Sequence, residues 1–193
     1  LPPIKSSVKR QLRTREIYYL DILEIDGKEV LFKVGTEAGT YIRKLIHDLG
    51  QKLKIGAHMA ELRRTKAGPF DESTLVTLHE LQDAYYFWKQ ENNEKFIRKV
   101  IQPVENGANH LPKVWVFDTT VESLCHGSDL KVPGIGKLND NINENDTVAI
   151  MTLKDELVAL GTAKMDSGNM MKDKGIAVQT EKVFMQPGTY KIN

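Results

Sequence analysis

The sequence predicts an α+β chain built from a mixed helix-and-strand region over residues 1–112, followed by a small, mostly β module over residues 113–193. Three observations carry that reading. Two strand-like runs flank Asp26-Gly27 and lead directly into a segment of helical apolar spacing. Two further helical segments come next, and then residues 102–112 gather two prolines, a glycine and two asparagines. Beyond that joint the apolar period shortens to that of strands. At 193 residues the chain can form one large domain or two small ones with a sizeable core.

The first strands are expected across Ile17–Glu37, joined by a tight turn at Asp26-Gly27. Val30, Phe32 and Val34 alternate with Leu31 and Lys33, which suits a sheet with at least one buried face. Thr40 is expected to cap a helix carrying Ile42, Leu45, Ile46, Leu49 and Leu53, with Gly56 as its end. His58 to Thr65 reads as a further strand before the turn at Gly68-Pro69. Thr77 and Glu80 have capping-box spacing, so a helix should run from Leu78 to about Lys89, with a second near Glu94 to Ile101. After the joint come a strand at Val114-Trp115-Val116 and a short helix from Asp118 or Thr119 that stops at Gly127. Strand-like runs then occupy Thr147–Leu153, Leu157–Met165 and Ile176–Met185.

Net charge is +1 and argues neither for nor against nucleic acid, but its distribution is uneven. Residues 1–70 hold 14 Lys and Arg against 8 Asp and Glu, a balance of +6, whereas the remainder holds 13 against 18, a balance of −5. The basic surface belongs to the first third. One cysteine, Cys125, excludes an internal disulfide framework and fits a reducing compartment. No zinc-type spacing occurs, no apolar run approaches the ~20 residues of a membrane span, and no signal-peptide pattern is present. The expected setting is intracellular, in the cytoplasm. Because the chain opens at Leu1-Pro2-Pro3 without methionine, it is expected to be processed or part of a longer product.

The run Gly39-Thr40-Tyr41-Ile42-Arg43 sits where a strand hands over to a helix. Gly39 permits close backbone approach, the helix start offers amide donors to an anion, and Arg43 can pair bidentately with a carboxylate or phosphate. On these residues alone, an ordinary helix cap with a solvated arginine is the favoured account. In context the run resembles the Gly-Thr-Tyr-Ile-Arg motif of the TruB-type pseudouridine synthases. Asp48-Leu49-Gly50, Gly56-Ala57-His58, Glu61-Leu62-Arg63-Arg64-Thr65 and Gly68-Pro69-Phe70 come after it in the matching order and spacing. Pro2-Pro3 and Ser6-Ser7-Val8-Lys9 are similar to that family's segment before the hairpin, with Ser7 where alanine is usual. Cys125-His126-Gly127-Ser128-Asp129-Leu130 and Val132-Pro133-Gly134-Ile135 resemble the opening of a PUA domain, an RNA-binding module. Together with Tyr85-Tyr86-Phe87-Trp88, these features resemble the archaeal and dyskerin-like branch that works under box H/ACA guide RNA.

The resemblance implies isomerisation of uridine to pseudouridine in rRNA, or in tRNA, with no metal or organic cofactor. An aspartate nucleophile would attack a uridine flipped out of the RNA stack. Arg43 would pair with that aspartate, keeping it ionised and oriented, while Leu62 would pack near the target base, and Tyr41 would pack under the site, bind substrate or serve as a structural aromatic at the helix start. The family carries its aspartate in a segment before the Pro-Pro region, and these 193 residues contain no such segment. Asp48 lies five residues after Arg43, about 140° around a helix, so it is a poor partner and reads as structural. Lys9, Arg63 and Arg64 are candidate phosphate contacts, and His126, Gly127, Pro133 and Gly134 are candidate contacts to guide RNA. Each has a plainer alternative. Leu62 could be a core leucine, the basic residues a solvated face, and the glycines and proline turn formers. His47, His58, His79 and His110 are scattered and read as structural, as does Cys125. Implied partners are guide RNA, substrate rRNA or tRNA, and the small companion proteins of the box H/ACA particle. A non-catalytic RNA-binding or assembly fragment, and a guide-independent tRNA enzyme, are the competing readings.

Overall fold

The first hairpin forms as expected, with its turn displaced by one residue. In the computed structural model, which describes residues 13–172 and 174–190, β1 (Ile17–Asp26) pairs antiparallel with β2 (Glu29–Thr36). Only Gly27 of the two loop residues, Gly27 and Lys28, has a positive φ, of 57°. That pattern matches a two-residue turn with glycine first, so the turn lies one residue later than the Asp26-Gly27 pair suggested. The register shifts between Ile22 and Glu24, a bulge that twists the ribbon. Tyr19 lies over Gly35, where a Cβ would meet its ring at 2.3 Å.

One sequence expectation fails here. Every residue of β1 is exposed, and Val30 and Leu31 of β2 are about half exposed or more, at 50% and 58%. Only Phe32, Val34, Gly35 and Thr36 are partly covered. Alternation created two apolar faces, but no second layer among the described residues covers either of them.

Next comes α1 (Ile42–Lys52), with Ile42, Leu45 and Ile46 half-buried on one side. The expected cap is not Thr40 but Tyr41, whose side chain makes no cap bond. Thr40 is already committed: its hydroxyl and its amide both donate to the Glu37 carbonyl, at 2.7 and 3.3 Å, closing the turn before the helix. The helix ends at Lys52, four residues before Gly56, because the chain turns back over it. Ile55 and Gly56 both donate to the Gly50 carbonyl. Gly50 is the buried residue of this helix, and a Cβ there would meet the Ala57 amide nitrogen at 2.2 Å. The strand expected at His58–Thr65 is absent: the chain is irregular there, with only Met59 partly covered. Its side chains do not alternate, and no described strand runs beside it.

These residues make up the first of two compact units, which divide between Arg63 and Arg64. The second unit opens with β3 (Lys66–Ala67) and β4 (Phe70–Asp71), paired around Gly68-Pro69. α2 (Leu78–Glu91) starts with the expected capping box, in which Thr77 Oγ1 accepts from the Glu80 amide and Glu80 accepts from the Thr77 amide. Asn92, at φ 53°, turns the chain into α3 (Glu94–Val100). Ala84 and Ile97 are the buried residues of the pair, beside Phe87 and Phe96 whose ring centres lie 5.0 Å apart.

Residues 102–112, expected to be a joint, are built onto the sheet of the second unit. Val104–Ala108 forms a 3-10 turn, Glu105 Oε1 accepts from the Leu157 amide at 3.0 Å, and the Pro112 carbonyl accepts from Ala149 at 2.9 Å. The remaining strands are β5 (Lys113–Val116), β6 (Leu130–Lys131), β7 (Ile135–Leu138), β8 (Thr147–Thr152), β9 (Leu157–Ala163) and β10 (Ile176–Val183). They form one sheet in the order β6-β10-β9-β8-β5-β7, antiparallel except for the β5·β8 pair. α4 (Asp118–Cys125) and α5 (Ser167–Met170) complete the unit.

Burial on both sides explains why β5 and β8 read as continuous apolar runs. Val114, Val116, Val148 and Ile150 enter one cluster with Val121 and Leu124 of α4. Trp115, Ala149 and Met151 enter the other, closed by Ala108 of the 3-10 turn and Leu157. The Trp115 indole donates to Asp155 Oδ1 at 2.7 Å, so its polar edge is satisfied.

Candidate functional site

The Gly39–Arg43 run comes after a turn held by Glu37. One carboxylate oxygen of Glu37 accepts from Arg15 Nη1 at 2.8 Å and the other from the Glu16 amide at 3.2 Å, which ties the entry to β1 to the exit from β2. The Glu16 amide, reinforced by Arg15, holds the Glu37 carboxyl below the ordinary carboxylate value. Gly39 takes a φ of 79°, and a Cβ would approach Arg15 Nη2 to 3.3 Å. The tight turn therefore calls for glycine. Sequence reading missed Arg15 and Glu37, whose pairing across 22 residues has no local signal.

Arg43 is the second residue of α1 and is exposed. Among the described residues its guanidinium has no hydrogen-bond or ion-pair partner. Asp48, the nearby acid, is taken by Lys44, one helical turn before it, and that contact lowers its carboxyl pKa. The helical separation that argued against an Arg43–Asp48 pair is thus matched by a different partner. No side-chain acceptor caps this helix, so its first amides and Arg43 together present donors to an incoming anion.

Tyr41 stands beside Arg43 and is 53% exposed. Leu62 lies on the irregular segment after the helix and is 59% exposed among the described residues. Arg63 and Arg64 are exposed on the same segment. Lys9, with the Pro2-Pro3 and Ser6–Lys9 matches, lies outside the described residues.

In the second unit the candidate contacts spread along α4. Gly127 comes just past the helix at φ 84°, its amide donating to Leu124 at 2.8 Å, while the Ser128 amide donates to Ser123 at 3.1 Å. This is a Schellman end, which needs a left-handed residue at that point. His126 Nε2 lies 3.1 Å from Glu122 Oε1, and Glu122 also accepts from the Gly188 amide at 2.9 Å. Pro133 and Gly134 belong to a 3-10 turn against the other end of the helix. The Gly134 carbonyl accepts from Phe117, and a Cβ on Gly134 would meet Thr120 at 2.7 Å. His126 and Gly127 are brought together, whereas Pro133 and Gly134 lie at the opposite end of a helix about 12 Å long. The Ser128–Asp129 link to Thr180 on β10 was not foreseen.

Among the described residues no three His, Cys, Asp or Glu side chains gather in a metal-binding group. His47, His58, His79 and His110 are all exposed on separate segments. Cys125 is buried under α4, and that burial pushes its thiol pKa up, away from reactive thiolate. No described helix is long and apolar enough to cross a membrane.

Two family profiles match the chain: the tRNA pseudouridylate synthase B C-terminal domain over residues 43–108, and the PUA domain over residues 112–184. A probable tRNA pseudouridine synthase B from Thermococcus onnurineus is 61% identical over 191 residues, covering 98% of this chain and 57% of that relative. A chain in the crystal structure of a Cbf5-Nop10-Gar1 complex superposes with a TM-score of 0.92 at 59% identity, over 100% of this chain and 59% of its own length. A chain in an H/ACA ribonucleoprotein bound to a substrate RNA containing 2'-deoxyuridine superposes with a TM-score of 0.89 at 58% identity, covering 95% of this chain and 59% of that one. The chain thus spans a little over half the length of the curated relative. With both profiles in order along it and the long match to that synthase, the chain belongs to the TruB-type pseudouridine synthase family, of which it carries the C-terminal synthase region and a PUA domain.

Proposed function

We propose that these residues form the later part of an enzyme that isomerises uridine to pseudouridine in rRNA under a box H/ACA guide RNA. The observation that carries the proposal is Arg43: exposed at an uncapped helix start, within the family motif, and without a partner among the described residues. It is suited to hold the nucleophilic aspartate ionised and oriented. The one acid on its own helix, Asp48, is committed to Lys44, and the source we assign to the aspartate is the family's segment before the Pro-Pro region, outside these 193 residues. The chain by itself therefore binds RNA and does not catalyse.

Tyr41 and Leu62 supply apolar surface for the flipped base, as their exposure allows. Lys9, Arg63 and Arg64 contact phosphate. The PUA region, from about residue 113, takes the guide RNA near its ACA end through His126, Gly127, Pro133 and Gly134. With 9 Lys and Arg against 11 Asp and Glu over residues 113–193, recognition there depends on shape and local contacts more than on net charge. No cofactor takes part. The companions are the small proteins of the H/ACA particle, a reading supported by the Nop10 and Gar1 named with the similar chain, and the setting is the cytoplasm. Action on tRNA without a guide is a second reading, favoured by the name of the Thermococcus relative.

The test joins the chain to an aspartate-bearing upstream segment and tracks pseudouridine formation in a guided substrate. Arg43→Ala should slow conversion by about 10²-fold or more, the scale of a misplaced reacting group, while guide-RNA affinity stays unchanged. Conversion at the normal rate by that variant, or by the 193-residue chain alone, would remove the proposal.

A further inference from the structure

Asp129 and Thr180 are 51 residues apart in sequence, yet they join the end of the α4 loop to β10 through two hydrogen bonds. The Thr180 amide donates to Asp129 Oδ1 at 3.0 Å, and the Thr180 hydroxyl donates to the Ser128 carbonyl at 2.9 Å. β6 pairs with β10 only as far as Leu130 opposite Val178. Two residues further along β10, the Thr180 amide has run past the start of β6, and the Asp129 carboxylate takes the place of the absent strand. On the other side β10 is pressed against β9, where a Cβ on Gly161 would meet the Gln179 carbonyl at 2.3 Å. Thr180 thus sits on a firm support.

The consequence falls on three successive residues. Ser128 is held through its carbonyl, Asp129 through its carboxylate, and Leu130 by complete burial. Gly127, just before them, is exposed, and nothing lies within 4 Å of where a Cβ would stand. The fold fixes the loop from behind, with the Gly127 amide taken by the Leu124 carbonyl, and leaves the Cα side of the glycine open in front.

We infer that Asp129 and Thr180 are positioning residues for RNA recognition, holding Gly127 and its neighbours in the conformation that receives the guide RNA. This rests on the reading that His126–Gly134 face RNA. Neither residue is assigned a contact to RNA. Their effect is to remove the ordering that binding would otherwise require of the loop.

The experiment measures affinity of the full 193-residue chain for an RNA stem with a single-stranded ACA 3′ end, well below the melting temperature. Thr180→Val and Asp129→Ala should each weaken binding about tenfold, a typical scale for lost pre-organisation. Asp129→Asn keeps an acceptor oxygen and should bind within about twofold of the original. The slope of affinity against salt should not change, because no phosphate contact is removed. Thr162→Val serves as a control: it removes a hydrogen bond from β9 to Glu181, the residue next to Thr180 on β10, without touching either bond to the loop, and should leave affinity unchanged. Normal binding by Thr180→Val, with weak binding by Gly127→Val, would overturn the inference and keep the loop reading. Normal binding by both would overturn the two together. An equal fall in Thr162→Val would trace the effect to lost stability and also overturn positioning.

Discussion

Single residues in this chain divide into those committed within the fold and those left available. Lys44, Glu37 and Glu122 are committed, whereas Arg43 has no partner among the described residues. Arg43→Lys keeps the charge but loses the planar fork, so in the extended enzyme it should restore little of the conversion lost in Arg43→Ala, as measured by pseudouridine yield. At Gly50 the prediction concerns stability. A methyl group there meets backbone at 2.2 Å, which cannot yield as a flexible side chain would, so Gly50→Ala should destabilise the first unit by about 1–3 kcal/mol in urea unfolding. Asp48 and Arg43 were separable from sequence because helical geometry alone sets them apart. The Glu37–Arg15 and Asp129–Thr180 links were not, because each depends on a meeting of distant segments that leaves no periodic trace.

Elements were legible in proportion to the local chemistry that defines them. The capping box at Thr77 and Glu80 marked the start of α2 to the residue, and Gly127 marked the end of α4 through its left-handed backbone. Thr77→Ala should lower stability by about 1 kcal/mol, the usual worth of an N-cap, seen as a lower urea midpoint. The start of α1 was misread because the Thr40 hydroxyl serves the preceding turn, and the His58–Thr65 strand was misread because a strand requires a neighbour. Residues 102–112 carry the composition of a linker, yet Glu105 and Ala108 knit them to the sheet. Composition reports what a backbone can do, whereas packing decides what it does. Leu130, fully buried between α4 and β10, should cost about 2–5 kcal/mol when cut to alanine, through lost burial and the cavity left behind.

Across the whole molecule the carboxyls tie stability to pH. Glu37, Glu80 and Glu156 all lie below their ordinary value of 4.5, held respectively by the Glu16 amide, the Thr77 amide and the Tyr190 hydroxyl. The unfolded chain therefore takes up these protons first on acidification. Their contribution is complete above pH 4.5 and drains away as pH falls through the lower folded values. Glu156→Gln should flatten that acid limb in melting curves recorded from pH 6 to about pH 3. At this scale the mixed α+β class and the later β-rich region were readable because β5, β8 and β9 are apolar runs buried in one sheet, whereas the compact units divide between Arg63 and Arg64 and not at the expected joint. The first unit was not, because the β1–β2 ribbon carries apolar side chains that no described layer covers. Such a ribbon has a consequence for handling these residues in solution. With Tyr18, Ile22, Leu23 and Ile25 all at least 59% exposed along a ten-residue strand, it is a template for strand exchange between molecules. Concentrated solutions of these 193 residues should self-associate through it, seen as a rise in apparent mass with concentration in light scattering.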